Sequence, residues 1–100
     1  MKQRSNIVVD KIKITHKINQ LLDNLPNGLE ILMIGGLFNH RLDNLPHTLK
    51  KLDFIGLSDF NQQLDNLPDG LIELSCWNNQ LTQLDNLPPN LENLNCLGNI

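Results

Sequence analysis

Apolar and polar residues alternate in five short stretches of the chain, four of which share the spacing L-x-x-L-x-[apolar]. These four are Leu29-Leu32-Ile34, Leu49-Leu52-Phe54, Leu71-Leu74-Cys76 and Leu91-Leu94-Cys96, and Val9-Ile12-Ile14 repeats the spacing upstream. A period of two residues is typical of a strand with one buried face. The connections are too short for long helices, so the five strands are predicted to stack in one parallel sheet, about 4.8 Å apart.

The pentapeptide LDNLP recurs at residues 22–26, 42–46, 64–68 and 84–88, with spacings of 20, 22 and 20 residues. It divides a single domain, 1–100, into a degenerate first rung at 1–21, units at 22–41, 42–63 and 64–83, and an incomplete unit at 84–100. Its two leucines, such as Leu22 and Leu25, are expected to point inward, while its proline excludes helix and favours an extended path. The prediction is a β-rich solenoid, with the sheet on its concave face and extended or turn segments on its convex face.

The buried face of the sheet should hold two columns of equivalent residues. They are Ile12, Leu32, Leu52, Leu74, Leu94 and Ile14, Ile34, Phe54, Cys76, Cys96. Cys76 and Cys96 occupy equivalent positions in neighbouring units, so a metal site and a disulfide are two alternatives to packing in the core. Packing in the core is favoured, because a buried cysteine behaves as a small hydrophobic residue and two thiols without a histidine in register are too few for zinc.

The repeats resemble the leucine-rich repeat family, whose units span 20–29 residues. The third unit is similar to the short repeats of bacterial effector proteins, through Leu71, Leu74, Cys76, Asn79 and Leu81. The first two units resemble FNIP repeats, whose mark is Phe-Asn followed by an aliphatic residue: Phe38-Asn39 with Leu42, and Phe60-Asn61 with Leu64. Arg41 and Gln63 stand where those repeats have a hallmark proline. The resemblance implies a solenoid that binds another protein. It also implies that the chain comes from an amoeba or from a giant virus that infects amoebae.

The net charge of −3 conceals an uneven distribution, since all eight Lys and Arg residues lie within residues 1–51. With four acids that half carries +4, whereas residues 52–100 hold seven acids and carry −7. Without interleaved aromatic residues or a known motif, the basic half is weak evidence for nucleic-acid binding, and a protein partner with its own charge asymmetry is favoured.

The expected location is the cytoplasm, or the host cytoplasm or the virion if the source is viral. The start of the chain lacks the apolar run of a signal peptide, and no stretch approaches the roughly 20 apolar residues of a membrane span. The two cysteines are then best read as reduced thiols. We therefore expect no membrane partner.

Catalytic chemistry is not indicated by the sequence. The three histidines share no equivalent repeat position, and no nucleophile motif or phosphate-binding glycine loop is present. We therefore expect a protein that is not an enzyme, without a metal or cofactor. The aspartates of the pentapeptide form a column that could suggest calcium, but calcium sites need six or more oxygens, so hydrogen bonds to turn amides are the favoured account.

The outward strand positions differ from rung to rung, which is the pattern expected of a specific contact surface. The predicted partner-binding residues are Trp77, Ile55, Leu97, Ile31, Met33, Lys11, Lys13, Lys51 and Glu73. Trp77 is the predicted anchor, because binding energy in interfaces concentrates in Trp, Tyr and Arg. The alternative is that Trp77 folds over the sheet and covers it.

A structural role is the second hypothesis, and it concerns the last rung. Leu91, Leu94 and Cys96 would leave an open edge there, which invites pairing with another chain. Copies could stack head to tail, basic half to acidic half, or pair with two-fold symmetry. A third alternative is that the chain is one piece of a longer array or a larger particle.

Overall fold

The computed structural model describes residues 10–14, 22, 24–58, 62, 64–75 and 86–95. Its strands are β1 (Lys11–Ile14), β2 (Ile31–Gly36), β3 (Lys51–Ser58), β4 (Glu73–Ser75) and β5 (Asn93–Asn95). Neighbouring strands are parallel, and their order in the sheet is their order in the chain. The predicted β-rich solenoid with a five-stranded parallel sheet is confirmed. No helix occurs among the residues described, so none of them forms a helix that could span a membrane.

Two columns of apolar side chains form the buried side of the sheet. Strand pairing aligns Ile12, Leu32, Leu52, Leu74 and Leu94 in one column and Ile14, Ile34 and Phe54 in the other. The central members, Leu32, Leu52, Ile34 and Phe54, are completely buried. The predicted columns are confirmed at these positions, whereas Cys76 and Cys96 lie outside the described residues.

A β-turn that begins at the pentapeptide proline precedes each of strands β2 to β5. The leucine three residues later donates its amide to the proline carbonyl, with N···O distances of 3.2 Å for Leu29, 3.1 Å for Leu49, 3.1 Å for Leu71 and 3.4 Å for Leu91. None of the turn residues has a positive φ, which excludes turn types II, I′ and II′ and fits type I. Because Leu29, Leu49 and Leu71 are fully buried, each of these turns is anchored in the core by the residue that closes it.

Successive rungs are joined by a carbonyl that accepts two amides. The Asp10 carbonyl accepts from the amides of Glu30 and Ile31, at 2.9 and 2.8 Å. The carbonyls of Glu30, Lys50 and Ile72 each accept two amides of the next rung in the same way. These bonds connect different units of the repeat, so a unit obtains its strand hydrogen bonds only by stacking on its neighbours.

The other wall of the core comes from the segments that connect the strands. The pentapeptide leucines Leu42, Leu64 and Leu67 are buried, and Leu22, Leu25, Leu45 and Leu87 pack against the core in half-buried positions. Phe38, from the Phe-Asn pair of the first unit, is also fully buried. The prediction that the pentapeptide leucines point inward is therefore confirmed where they are described.

The unit at 42–63 is two residues longer than its neighbours, and β3 absorbs the difference. Ile34 pairs with Phe54, but the next pair joins Gly36 to Ser58, so two steps along β2 correspond to four along β3. Glycine makes this possible: a Cβ on Gly35 would lie 3.0 Å from both the Cγ1 and the carbonyl oxygen of Ile55. Gly36 has a φ of 67°, a conformation that favours glycine. The extra residues thus form a bulge at the end of β3.

Candidate functional site

The side of the sheet that points away from the core carries most of the predicted partner-binding residues, and we refer to it as the sheet face. Strand pairing aligns the outward side chains in two columns. One column is Lys11, Ile31, Lys51, Glu73 and Asn93, and the other is Lys13, Met33, Asp53, Ser75 and Asn95. Ile55 follows on β3, two residues after Asp53. Alternation along each strand sets them opposite the buried columns. They are exposed on β1 and β5 and half-buried on β2, β3 and β4.

The charge of the sheet face changes sign along the stack. Strand β1 presents Lys11 and Lys13, and β4 presents Glu73. The Nζ atom of Lys51 lies 4.0 Å from a carboxylate oxygen of Glu73, and the two side chains are 36% and 47% exposed. A pair this open to water contributes little to stability. Both charges therefore stay accessible to a partner, between the basic side chains of β1 and the neutral Asn93 and Asn95 of β5.

A groove of about 350 Å³ crosses the sheet face over strands β3, β4 and β5. It is lined by Lys51, Asp53, Glu73, Leu74, Ser75, Asn93, Leu94 and Asn95. The lining side chains offer an ammonium, two carboxylates, a hydroxyl and two amides, and therefore both donors and acceptors of hydrogen bonds. Such a groove suits a polar, extended segment of another protein better than an apolar small molecule.

Apolar side chains lie beside the groove, on strands β2 and β3. They are Ile31, Met33 and Ile55, each half-buried. Ile55 lies over Gly35, in the space that a side chain on Gly35 would fill. An apolar strip bordered by polar and charged groups is the general composition of a protein–protein interface.

The polar groove residues that the predicted partner-binding set lacked are Asp53, Ser75, Asn93 and Asn95. Their outward positions follow from the same period-two alternation, but small polar side chains lack the size or the charge by which the predicted residues stand out. The predicted residues Trp77 and Leu97 lie outside the described residues.

The predicted assembly edge is described in part. Leu91 is half-buried and packs against the core, whereas Leu94, on β5, is 48% exposed. Cys96 lies outside the described residues. Among the strands described, β5 is the outermost at this end of the sheet.

A second polar cluster involves the pentapeptides of the second and third units. Arg41 Nε and Nη2 donate to the two carboxylate oxygens of Asp43, at 3.0 and 3.2 Å, and Nη2 also reaches Asp65 at 3.4 Å. Asn66 Nδ2 donates to Asp43 Oδ1 at 3.0 Å. Asp43 was expected to accept from turn amides, but its described contacts go to side chains. The reason is that Arg41 lies only two residues before Asp43, and that stacking brings Asn66 of the next rung within reach of the same carboxylate.

These contacts support a structural role for the cluster. Within the described part of the chain, no group of three or more His, Cys, Asp or Glu residues could hold a metal ion. The hydrogen bond from Arg41 lowers the pKa of Asp43 below its ordinary value, and the hydrogen bond from Asn66 lowers it further. The pKa of Arg41 is raised in return, first by that hydrogen bond and then by the charge of Asp43.

The depressed pKa of Asp43 predicts a pH dependence of stability. The ionised carboxylate stabilises the folded state above the ordinary aspartate pKa of about 3.9, and this contribution is lost as the pH falls through the lower folded value. Urea unfolding between pH 5 and pH 2.5 should therefore show a flatter acid decline for Asp43→Asn than for the wild type. Asp69→Asn, which removes one carboxylate at an exposed turn position, is the control for the loss of a negative charge. Identical curves for Asp43→Asn and the wild type would contradict the assignment.

The buried Phe38 and the half-buried Asn39 beside it occupy the Phe-Asn position of the first unit. Comparison with protein families agrees with this position. Residues 19–57 match the FNIP Repeat family. The match contains the first pentapeptide, the Phe-Asn pair and the second pentapeptide, and it spans strand β2 and all but the last residue of β3. The leucine-rich character of the FNIP repeat region agrees with its solenoid fold. No curated protein and no solved structure matches the chain.

Proposed function

We propose that this chain is a non-catalytic module that binds a partner protein through the sheet face. The observation that carries the proposal is the groove formed by side chains from three successive strands, β3, β4 and β5. The buried columns repeat almost unchanged beneath it, while the outward residues differ on each strand. The scaffold is therefore constant, while the surface that it presents is specific. The FNIP match supports the general role of an interaction repeat.

The charges on the groove indicate which partner segment would fit. Asp53 and Glu73 offer two carboxylates on neighbouring strands, and Lys51 lies beside them. A partner that places a basic side chain between the two carboxylates, and an apolar side chain against Ile31 and Met33, would satisfy both parts of the face. We propose that this interaction takes place in the cytoplasm and requires no cofactor.

Reversal of one groove charge should weaken partner capture about tenfold, which corresponds to about 1.4 kcal/mol. The variant is Glu73→Lys, and its matched control is Asp69→Lys, in the turn that precedes β4. The immobilised chain is used to capture proteins from cell lysate, the captured proteins are identified by mass spectrometry, and the main one is titrated against each variant. Equal capture by Glu73→Lys and Asp69→Lys would rule out the groove as the binding surface.

Trp77→Ala forms a second arm of the same experiment. The sequence predicts Trp77 as an anchor, so its removal should weaken capture by about 2 kcal/mol or more and leave thermal stability nearly unchanged. Loss of stability together with loss of capture would favour the alternative, in which Trp77 covers the sheet.

A further inference from the structure

We propose that the outer edge of β5 binds strand β1 of a second copy of the chain, so that one parallel sheet continues head to tail across two molecules. In this arrangement Asn93 lies opposite Lys11 of the second copy, and Leu94 lies opposite Ile12. This contact uses the backbone edge of β5 and the buried column, whereas a partner on the sheet face would contact the outward side chains, and Leu94 is shared because it also lines the groove.

The backbone of the two outer strands carries the first argument. Within the chain, the carbonyls of Asp10, Glu30, Lys50 and Ile72 each accept two amides from the following rung. The equivalent carbonyl on the last rung that the structure describes belongs to Glu92, and the equivalent donors on the first described rung are the amides of Asp10 and Lys11. No strand pairs with these outer edges among the residues that the structure describes. The two edges therefore carry complementary groups in the register that the chain already uses four times.

The buried columns carry the second argument. Leu94 ends the column that begins at Ile12, and it is 48% exposed, whereas Leu32, Leu52 and Leu74 of the same column are at most 1% exposed. A second copy stacked in register would place its half-buried Ile12 on Leu94 and close the column. Burial of apolar surface at both positions favours association.

The charge distribution selects the head-to-tail arrangement over the two-fold one. Residues 1–51 carry +4 and residues 52–100 carry −7, so head-to-tail stacking joins halves of opposite net charge. Two β5 edges in contact would bring two acidic halves together. At the proposed junction two acidic residues, Glu92 of one copy and Asp10 of the other, would be neighbours. The chain already contains such a pair, because Asp10 and Glu30 lie on adjacent rungs.

The first test measures mass against protein concentration by sedimentation velocity, at low and high salt. The wild-type chain should form species that grow with concentration and shrink with salt. Leu94→Asp should abolish this growth, whereas the matched control Leu37→Asp should preserve it, because Leu37 is also 48% exposed but follows β2, an inner strand of the sheet. A wild-type chain that stays monomeric at the highest concentration, or equal behaviour of the two variants, would overturn the proposal.

The second test uses a variant that keeps the β5 edge and reverses the charge of β1, Lys11→Glu with Lys13→Glu. Both side chains are exposed, so the fold should be retained. Head-to-tail stacking predicts that this variant and Leu94→Asp are each monomeric alone. When mixed, they should form a 1:1 dimer through the intact β5 of the first and the intact β1 of the second. Two-fold pairing of β5 edges predicts instead that the β1 variant dimerises alone and that mixing adds nothing, and that result would overturn the proposal.

Discussion

Replacement of Phe54 by alanine should lower the free energy of unfolding by about 3–5 kcal/mol. Phe54 is fully buried on the central strand β3, where it pairs with Ile34. Truncation removes the transfer free energy of the ring and leaves a cavity that the neighbouring rungs can fill only in part. A 100-residue domain has a total stability of about 5–15 kcal/mol, so this single change should remove a large share of it.

Urea unfolding followed by circular dichroism measures the effect. Leu37→Ala is the control, because this leucine is 48% exposed and its truncation should change the stability by no more than about 0.5 kcal/mol. Similar losses in the two variants would show that Phe54 does not lie in the core of the folded chain.

Gly35→Ala should destabilise the protein by about 1–3 kcal/mol, the usual cost of adding a methyl group where no space exists. The new Cβ would lie 3.0 Å from the Cγ1 atom and from the carbonyl oxygen of Ile55. The side chain of Ile55 can rotate away, but its carbonyl belongs to the bulged strand β3 and can move only with the backbone. The strain should therefore be relieved by distortion of the bulge.

The matched control for Gly35→Ala is Gly70→Ala. A Cβ on Gly70 would lie 3.5 Å from the His47 carbonyl oxygen, an ordinary contact distance, and Gly70 does not have a positive φ. Alanine there restricts the unfolded chain and should stabilise the protein by about 0.4–1 kcal/mol. Thermal unfolding of both variants gives the comparison, and a loss of stability at position 70 equal to that at position 35 would show that close packing against Ile55 is not the cause.

The regular part of this fold could be predicted from the sequence. The alternation of apolar residues placed the strands and the two buried columns, because each outward or inward position is fixed once the period of two is recognised. The pentapeptide placed the proline that begins each turn, and Leu29, Leu49 and Leu71 were already part of the repeated spacing.

The irregular features could not be predicted from the sequence. Two extra residues in the unit at 42–63 could have been accommodated in the turn, the strand or the return segment, and the pairing of Gly36 with Ser58 shows that β3 takes them. The bond between Asn66 and Asp43 depends on side-chain conformations across two rungs, which no pattern along one strand contains. The groove likewise depends on three strands together, so residues such as Asn93 and Asn95 carry no distinguishing signal in the sequence.

Because of the bulge in β3, a repeat can be two residues longer without a change in how its strand is positioned in the sheet. Both extra residues lie beyond Phe54, so the β-turn that ends at Leu49 and the one that ends at Leu71 keep equivalent positions on either side. Repeats of 20 and 22 residues can consequently occupy adjacent rungs without shifting the frame of the buried columns. Duplication or recombination between units of either length would then add or remove whole rungs, and the strand pairing on both sides would keep its register. An array of this type can therefore lengthen without a new junction.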